Sequence, residues 1–313
     1  MSQEIQIYAV FFYKSLNTVS DSFDWFGKKV GGIKNKILRM RNGKYADLIS
    51  DRRINEMRKK VRPIFVLSPG RSGTNTLTAL LKLSPYIDSF HEPVPNMFNL
   101  SYLSHMTDEG INQTFWHEIF KVERNPLIFK SEINGKTYFE SNNRMTFLAN
   151  YLSAYYPLSK FIYMYRHPYH VIRSFMRRGY YKNHWLDYSR IIPTKTDQYY
   201  DQWRDMNLLE KCAWNWNKIN TFSLDFLKTT DKERQLSIKA EALFEGDVNI
   251  INKIFEFVSN NPKPRASKIN KIFNKKMNAQ TYGSYPHPDK WTAAEIDSIK
   301  KIVAETMSIL GYE

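Results

Sequence analysis

The sequence predicts an α/β domain, a parallel sheet flanked by helices, preceded by a basic N-terminal extension over residues 1–62. Three observations carry this. Ile64-Phe65-Val66-Leu67 is an unbroken apolar run of β-forming residues, the pattern of a strand buried on both faces. A turn containing Gly70 and Gly73 follows, and then Leu77, Leu80 and Leu81 repeat at helical spacing within Thr74 to Leu83. From Ile64 onward, short apolar runs alternate with helical patterns to the end of the chain, as parallel sheets require.

Composition sets the outer limits. With 313 residues and 42% hydrophobic content, the chain can bury the core of one large domain plus an extension. The single cysteine, Cys212, excludes internal disulfides and thiolate metal clusters, and a reducing compartment is the easier reading. No apolar run approaches bilayer-spanning length, and Met1-Ser2-Gln3-Glu4 lacks a basic signal region, so a cytoplasmic location is expected. The net charge of +15 is concentrated: residues 27–62 hold 13 Lys and Arg against 3 Asp and Glu. A solvated basic helix whose field attracts an anionic ligand is the first reading of this segment. Peripheral contact with anionic lipid is the second, because Ile33, Ile37, Leu38 and Met40 interleave with Lys34, Lys36, Arg39 and Arg41. Nucleic acid ranks last, and no nucleic-acid partner is expected.

In order along the chain, Ile5 to Tyr13 is apolar and aromatic, a strand or a helix laid on the core. The turn Pro69-Gly70-Arg71-Ser72-Gly73-Thr74-Asn75 joins a strand to a helix N-terminus, so backbone N–H groups and the helix dipole meet at one anion site. It is not a Walker A loop, since Thr74 follows Gly73 where that motif has Lys; the basic residue, Arg71, lies inside the turn instead. A second strand, Tyr86 to Phe90, runs into His91-Glu92-Pro93. Pro93 disfavours helix at Glu92, which puts a carboxylate at the strand end where parallel sheets bind ligands. Glu92 is a candidate general base; His91 is its rival or its supporting hydrogen-bond partner, and the plainer reading is a turn carboxylate paired with a lysine.

Residues 111–124 read as a helix and Leu127 to Ile133 as a strand interrupted by Lys130, a lysine that would need an anion if buried. Ser141 to Tyr155 has a helical pattern. Lys160 to Tyr165 is a strand ending in Arg166-His167-Pro168, followed by a helix with Val171, Ile172 and Phe175 inward. Arg166 and Ser174 stand in an Arg-x7-Ser arrangement, one at the strand end and the other two turns into the helix, so a guanidinium fork and a hydroxyl can reach one phosphate. Tyr180 to Trp203 is aromatic, basic and without clear period; it reads as an acceptor-binding lid with Tyr181 and Trp185 as contacts, or as an ordinary packed excursion. Asn207 to Leu227 is a helix, Gln235 to Lys239 a strand and Ile250 to Val258 a helix. After the basic stretch Lys268 to Asn278, Thr292 opens a last helix, Ala293 to Leu310, stopped by Gly311-Tyr312.

Pro69-Gly70-Arg71-Ser72-Gly73-Thr74 closely resembles the 5′-phosphosulfate loop of sulfotransferases that use 3′-phosphoadenosine-5′-phosphosulfate (PAPS). Arg166 and Ser174, after their apolar strand, resemble that family's 3′-phosphate site, and the ending Trp291-Thr292…Leu310-Gly311-Tyr312 resembles it too. The resemblance spans residues 62–313. Ala240 and Ala242 depart from it, standing where polar or aromatic residues are usual. It implies a P-loop-like sulfotransferase fold, with Pro69 to Asn75, Arg166 and Ser174 as donor contacts. Glu92 after the second strand resembles the base of bacterial, carbohydrate and protein-tyrosine members, whereas cytosolic small-molecule members use a His. Lys130 would take the role of the strand-end Lys beside the transferred group. The products would be adenosine 3′,5′-bisphosphate and a sulfate ester, and the acceptor expected is a glycan or glycolipid. No metal site is recognisable in the sequence and none is expected. The alternatives are an ATP-dependent P-loop kinase, which lacks its Lys after Gly73, and a basic nucleic-acid-binding protein.

Overall fold

The computed structural model describes residues 51–107, 112–182, 184–273 and 283–313. The chain divides into two compact units, residues 1–57 and 58–313. Of the first, the described part is the beginning of helix α1 (Asp51–Arg58), where Arg52 pairs with Glu56 one turn on. The apolar Ile5 to Tyr13 run, and the basic segment as far as residue 50, lie outside the described residues.

The second unit is built on five parallel strands in the order β2-β3-β1-β4-β5. These are β1 (Ile64–Leu67), β2 (Ile87–His91), β3 (Thr137–Ser141), β4 (Lys160–Tyr165) and β5 (Gln235–Lys239). The apolar runs behave as two-faced strands. Phe65 and Leu67 of β1 enter one core with Phe161, Tyr163, Trp214 and Trp216; Ile64 and Val66 enter the other with Leu77, Leu80, Ile162, Met164 and Ile238. Side chains alternate across a strand, so each face needs its own helical cover. Helix α2 (Thr74–Leu81) covers the second face, while α7 (Pro168–Arg177), α8 (Leu208–Lys228) and α12 (Ala293–Ile309) pack about the first. Helices α8 and α12 open with complete capping boxes, Asn207 with Glu210 and Thr292 with Glu295. Helices α9 (Ala240–Phe244), α10 (Val248–Val258) and α11 (Ala266–Phe273) follow β5 and join α2 in the second core. Among the described residues, no helix is long and apolar enough to cross a membrane.

The region between β2 and β4 differs from the sequence reading. Leu127 to Ile133 is not a strand; it belongs to helix α5 (Asn125–Ile133), which follows α3 (Phe98–Met106) and α4 (Gln113–Glu123). Pro126 starts α5 with a φ suited to the first helical turn, and Gly135 at φ +66° stops it, its N–H reaching the Glu132 carbonyl. The true third strand, β3, hides its strand character because its buried positions include Glu140 and Ser141. Glu140 is tolerated because Arg124 grips it through Nε at 2.8 Å and Nη2 at 3.1 Å, while Tyr138 Oη and Asn142 Nδ2 also donate to it. The predicted helix Ser141 to Tyr155 is broken too. Ser141 closes β3, the Asn142 side chain accepts the Arg144 N–H, and a 3₁₀ turn (Asn143–Leu148) precedes α6 (Ala149–Tyr155).

Candidate active site

At the carboxyl end of β1 the chain turns through three left-handed residues, Gly70 (φ +78°), Arg71 (φ +59°) and Gly73 (φ +82°). Hydrogen bonds internal to the turn hold it: Gly70 N–H to Ser68 Oγ at 3.1 Å and Ser72 Oγ to the Gly70 carbonyl at 3.1 Å. Thr146 Oγ accepts the Ser68 N–H at 3.2 Å and anchors the turn to the 3₁₀ segment. Gly73 is the N-cap of α2 and brings no side chain to cover the helix end. The α2 end thus presents first-turn N–H groups and the positive end of the helix dipole, which together suit an oxyanion.

Two side chains reach this turn from far along the sequence, Ser174 and Arg166. Arg71 Nε donates to Ser174 Oγ on α7 at 2.8 Å. Arg166, at the end of β4, donates through Nη1 to the Arg71 carbonyl at 3.1 Å. The Arg166 guanidinium lies 5.0 Å from the centroid of the Phe244 ring, and its Nε is buried without a partner. Burial lowers its pKa, against which Glu241 and Tyr312 act. The backbone beneath is fixed: Trp216 Nε1 donates to the Arg166 carbonyl at 3.0 Å, and Glu241 accepts both the His167 N–H at 3.0 Å and the Tyr312 hydroxyl at 2.9 Å.

The β2 end supplies the carboxylate. Glu92, at φ +45°, donates its N–H to the Ser141 carbonyl at 3.0 Å, and its side chain is exposed. His91 Nδ1 lies 3.4 Å from Ser141 Oγ, which in turn reaches the Thr74 carbonyl in the first turn of α2 at 3.3 Å. Burial lowers the His91 pKa; Glu92 opposes this, and Lys82 and Arg71 add to it. His91, Glu92 and Arg71 thus share one electrostatic neighbourhood.

The structure brings Arg71, Arg166 and Ser174 together and sets His91 and Glu92 nearby. It does not bring Lys130 there. Lys130 is exposed on α5, which feeds through residues 134–136 into the start of β3, so it lies toward the amino-terminal end of the sheet. Tyr181 is not a free contact face either: its hydroxyl donates to the Ile191 carbonyl at 2.8 Å and accepts from Asn215 Nδ2 at 2.7 Å. Trp185 is 70% exposed, with its ring edge-on to Phe98 at 6.4 Å. Two arginines complete this side. Arg144 follows Asn143, whose amide packs on Gly70, and lies 4.1 Å from the Phe98 ring centroid. Arg190 stacks on Tyr180 at 3.3 Å and pairs with Asp187 at 2.8 Å. Arg144 escapes sequence reasoning because it falls in a stretch that reads as plain helix. Among the described residues, no group of three or more His, Cys, Asp or Glu side chains could hold a metal ion.

Comparison with known proteins decides the family. The model of the sulfotransferase family matches residues 63–258. The chain belongs to the sulfotransferase family. Its fold is similar to that of the sulfotransferase domain from the curacin biosynthetic pathway, with a TM-score of 0.50 and 18% identity over 82% of this chain and 99% of that one. It is also similar to sulfotransferase STF9 from Mycobacterium avium, with a TM-score of 0.53 and 14% identity over 81% of this chain and 78% of that one. No curated protein sequence matches it. The β1 turn, the β2 end and the Arg166–Ser174 pair therefore sit on the parallel, P-loop-like sheet of a sulfotransferase, at the carboxyl ends of its strands.

Proposed function

We propose that this sulfotransferase uses PAPS to sulfate a hydroxyl of a glycan or glycolipid. The observation that carries the donor assignment is the convergence of Arg71, Arg166 and Ser174 on the α2 N-terminus, with a buried Arg166 Nε that has no acceptor among the described residues. An unpaired buried donor is costly, and a phosphate oxygen would satisfy it.

PAPS, when bound, supplies the sulfuryl group. The α2 amides and Arg71 hold its 5′-phosphosulfate end and balance the charge that gathers on the leaving oxygen. Arg166 and Ser174 select the 3′-phosphate and so discriminate against ATP. Glu92 accepts the proton of the attacking hydroxyl at its carboxylate, and His91 supports that corner. The exposed Trp185 ring, set against Phe98, offers the flat apolar face that sugar rings stack on, which favours a glycan acceptor. A cytoplasmic location, peripheral to anionic membrane through residues 27–62, belongs to the same proposal; salt-sensitive binding to anionic vesicles tests it.

Calorimetry tests the donor assignment. Arg166→Ala is expected to weaken adenosine 3′,5′-bisphosphate binding by about 2–3 kcal/mol, the loss expected for a charge-assisted partner. It should leave adenosine 5′-phosphosulfate, which lacks the 3′-phosphate, nearly unaffected. Equal losses for both ligands would remove the 3′-phosphate role. Tight ADP binding with none of the bisphosphate would favour the kinase reading.

A further inference from the structure

The corner around Glu92 holds two guanidinium groups that the donor assignment does not use. Arg190 is only 7% exposed. Its Nε is paired with Asp187 Oδ1, yet its Nη2 is buried with no hydrogen-bond partner among the described residues. Asp187 is already engaged, since its two oxygens also accept the Tyr181 and His184 N–H groups at 3.2 and 2.8 Å. Arg144 has the same defect at Nε, which is buried and unpartnered while its guanidinium lies against Phe98. The two belong to one aromatic cluster: Arg144 lies on Phe98, the Phe98 ring meets Trp185 edge-on at 6.4 Å, Trp185 stacks on His184 at 5.9 Å, and His184 lies 6.0 Å from the Tyr180 ring that carries Arg190.

Each feature is unfavourable as it stands. A buried guanidinium N–H without an acceptor loses its solvation, and the stacking of the two guanidinium groups on Phe98 and Tyr180 offsets this only in part. Burial, with Arg190 acting in the same direction, depresses the Arg144 pKa, and Tyr180 and Glu92 only oppose it. An oxyanion bound between the two would satisfy both N–H groups and offset the Arg144 charge.

We propose that Arg144 and Arg190 form an oxyanion subsite for the acceptor, so that the molecule sulfated here already carries a carboxylate, phosphate or sulfate group close to its reacting hydroxyl. This rests on the reading of Glu92 as the acceptor-side base. Donor and acceptor anions are then held by separate residues: Arg71, Arg166 and Ser174 for the donor, and Arg144 with Arg190 for the acceptor. Trp185 and Phe98 flank the acceptor ring, and the two arginines fix which hydroxyl of an anionic sugar faces Glu92.

The test fills the donor site first. The protein is saturated with adenosine 3′,5′-bisphosphate and then titrated calorimetrically with inorganic phosphate and, separately, with glucuronate. An anion site is expected to remain, weakened about 10–100-fold by Arg144→Gln, as loss of a charge-assisted bond implies. Arg190→Lys, which keeps the charge but removes the Nη2 donor, should weaken it in the same direction while an unchanged bisphosphate affinity shows that the fold is intact. The stronger of the two probes tells a phosphate or sulfate acceptor from a carboxylate one. No residual anion binding to the nucleotide-saturated protein, or binding that both variants leave unchanged, overturns the subsite. Failure of the bisphosphate itself to bind is a separate result: it removes the donor reading. The titration is then run on nucleotide-free Arg166→Ala, where loss of anion binding on adding Arg144→Gln still supports the subsite and indifference to it overturns it.

Discussion

Gly73 offers a quantitative probe of how the glycine turn after β1 is coupled to Arg166. A Cβ built on Gly73 would lie 2.6 and 2.7 Å from two atoms of the Phe244 ring and 3.3 Å from Met164 Cε, at a backbone φ of +82°. Gly73→Ala therefore has two costs. The left-handed conformation costs a residue with a Cβ about 1–2 kcal/mol. The overlap with Phe244 adds about 1–3 kcal/mol, as overpacking does elsewhere. Phe244 is 39% exposed and can swing outward, but its ring then leaves the Arg166 guanidinium, 5.0 Å away. The loss of that contact weakens the platform of Arg166 by a further ~0.5–1 kcal/mol. A double-mutant cycle isolates the steric part. In Phe244→Ala, Gly73→Ala should cost only the backbone term, so the coupling between the two changes should be about 1–3 kcal/mol. Urea unfolding of the four proteins measures it, and adenosine 3′,5′-bisphosphate titrations follow Arg166 in parallel. Gly70→Ala is the control, because its φ of +78° is similar while its Cβ would meet a movable Asn143 amide at 3.1 Å. Strict additivity of Gly73→Ala and Phe244→Ala, or an equal Phe244 dependence for Gly70→Ala, would refute the reasoning.

Three further outcomes are expected. Arg124→Ala leaves Glu140 buried without its cation, both side chains being 0% exposed, and should cost about 3–5 kcal/mol by chemical denaturation; a loss below 1 kcal/mol would mean the pair contributes little. Acid should destabilise the fold through His167, whose pKa is lowered to about 4, mainly by burial and then by His170, and whose Nδ1 accepts the Tyr169 N–H. A histidine held neutral in the native state favours unfolding as pH falls through its unfolded value near 6.5, so between pH 7 and 5 the loss is about 1 kcal/mol after allowance for solvent screening; His167→Gln should flatten that limb of the melting-temperature profile. Glu92→Gln should lower turnover about 10²–10⁴-fold with nucleotide affinity within a few-fold, whereas His91→Ala should cost far less; the opposite ranking would make His91 the base.

What could be read in advance depended on whether burial was achieved by apolar residues. Strands β1 and β4 span the apolar runs that foretell them, β5 the alternating Gln235 to Lys239, and Arg166 and Ser174 lie where a strand end and a second helical turn put them. β3 was hidden because Glu140 and Ser141 interrupt its pattern, and the charge that makes Glu140 tolerable, Arg124, comes from another element. Leu127 to Ile133 looked like a strand because periodicity cannot separate a short apolar strand from a buried helix; Pro126 and Gly135 were the overlooked boundaries. Lys130 was misplaced with it. Arg144 and Arg190 could not be paired from sequence, since an unpartnered buried N–H is a property of three-dimensional packing.

The strand order bears on how the enzyme comes into being. β1 forms its ladders with β3 and β4, Ile64 facing Phe139 on one side and Lys160 on the other, and Arg71 waits for Ser174, 103 residues later, to fix its side chain. A chain emerging from the ribosome carries the glycine turn, with its internal hydrogen bonds, long before it carries Thr146 and Ser174, which tie the turn to the rest of the fold. Contacts of such sequence separation form late and make folding slow. Nucleotide affinity should therefore appear abruptly, only after α7 has docked, which makes bisphosphate binding a stringent reporter of completed folding: nascent chains stalled before residue 174 should show none of it.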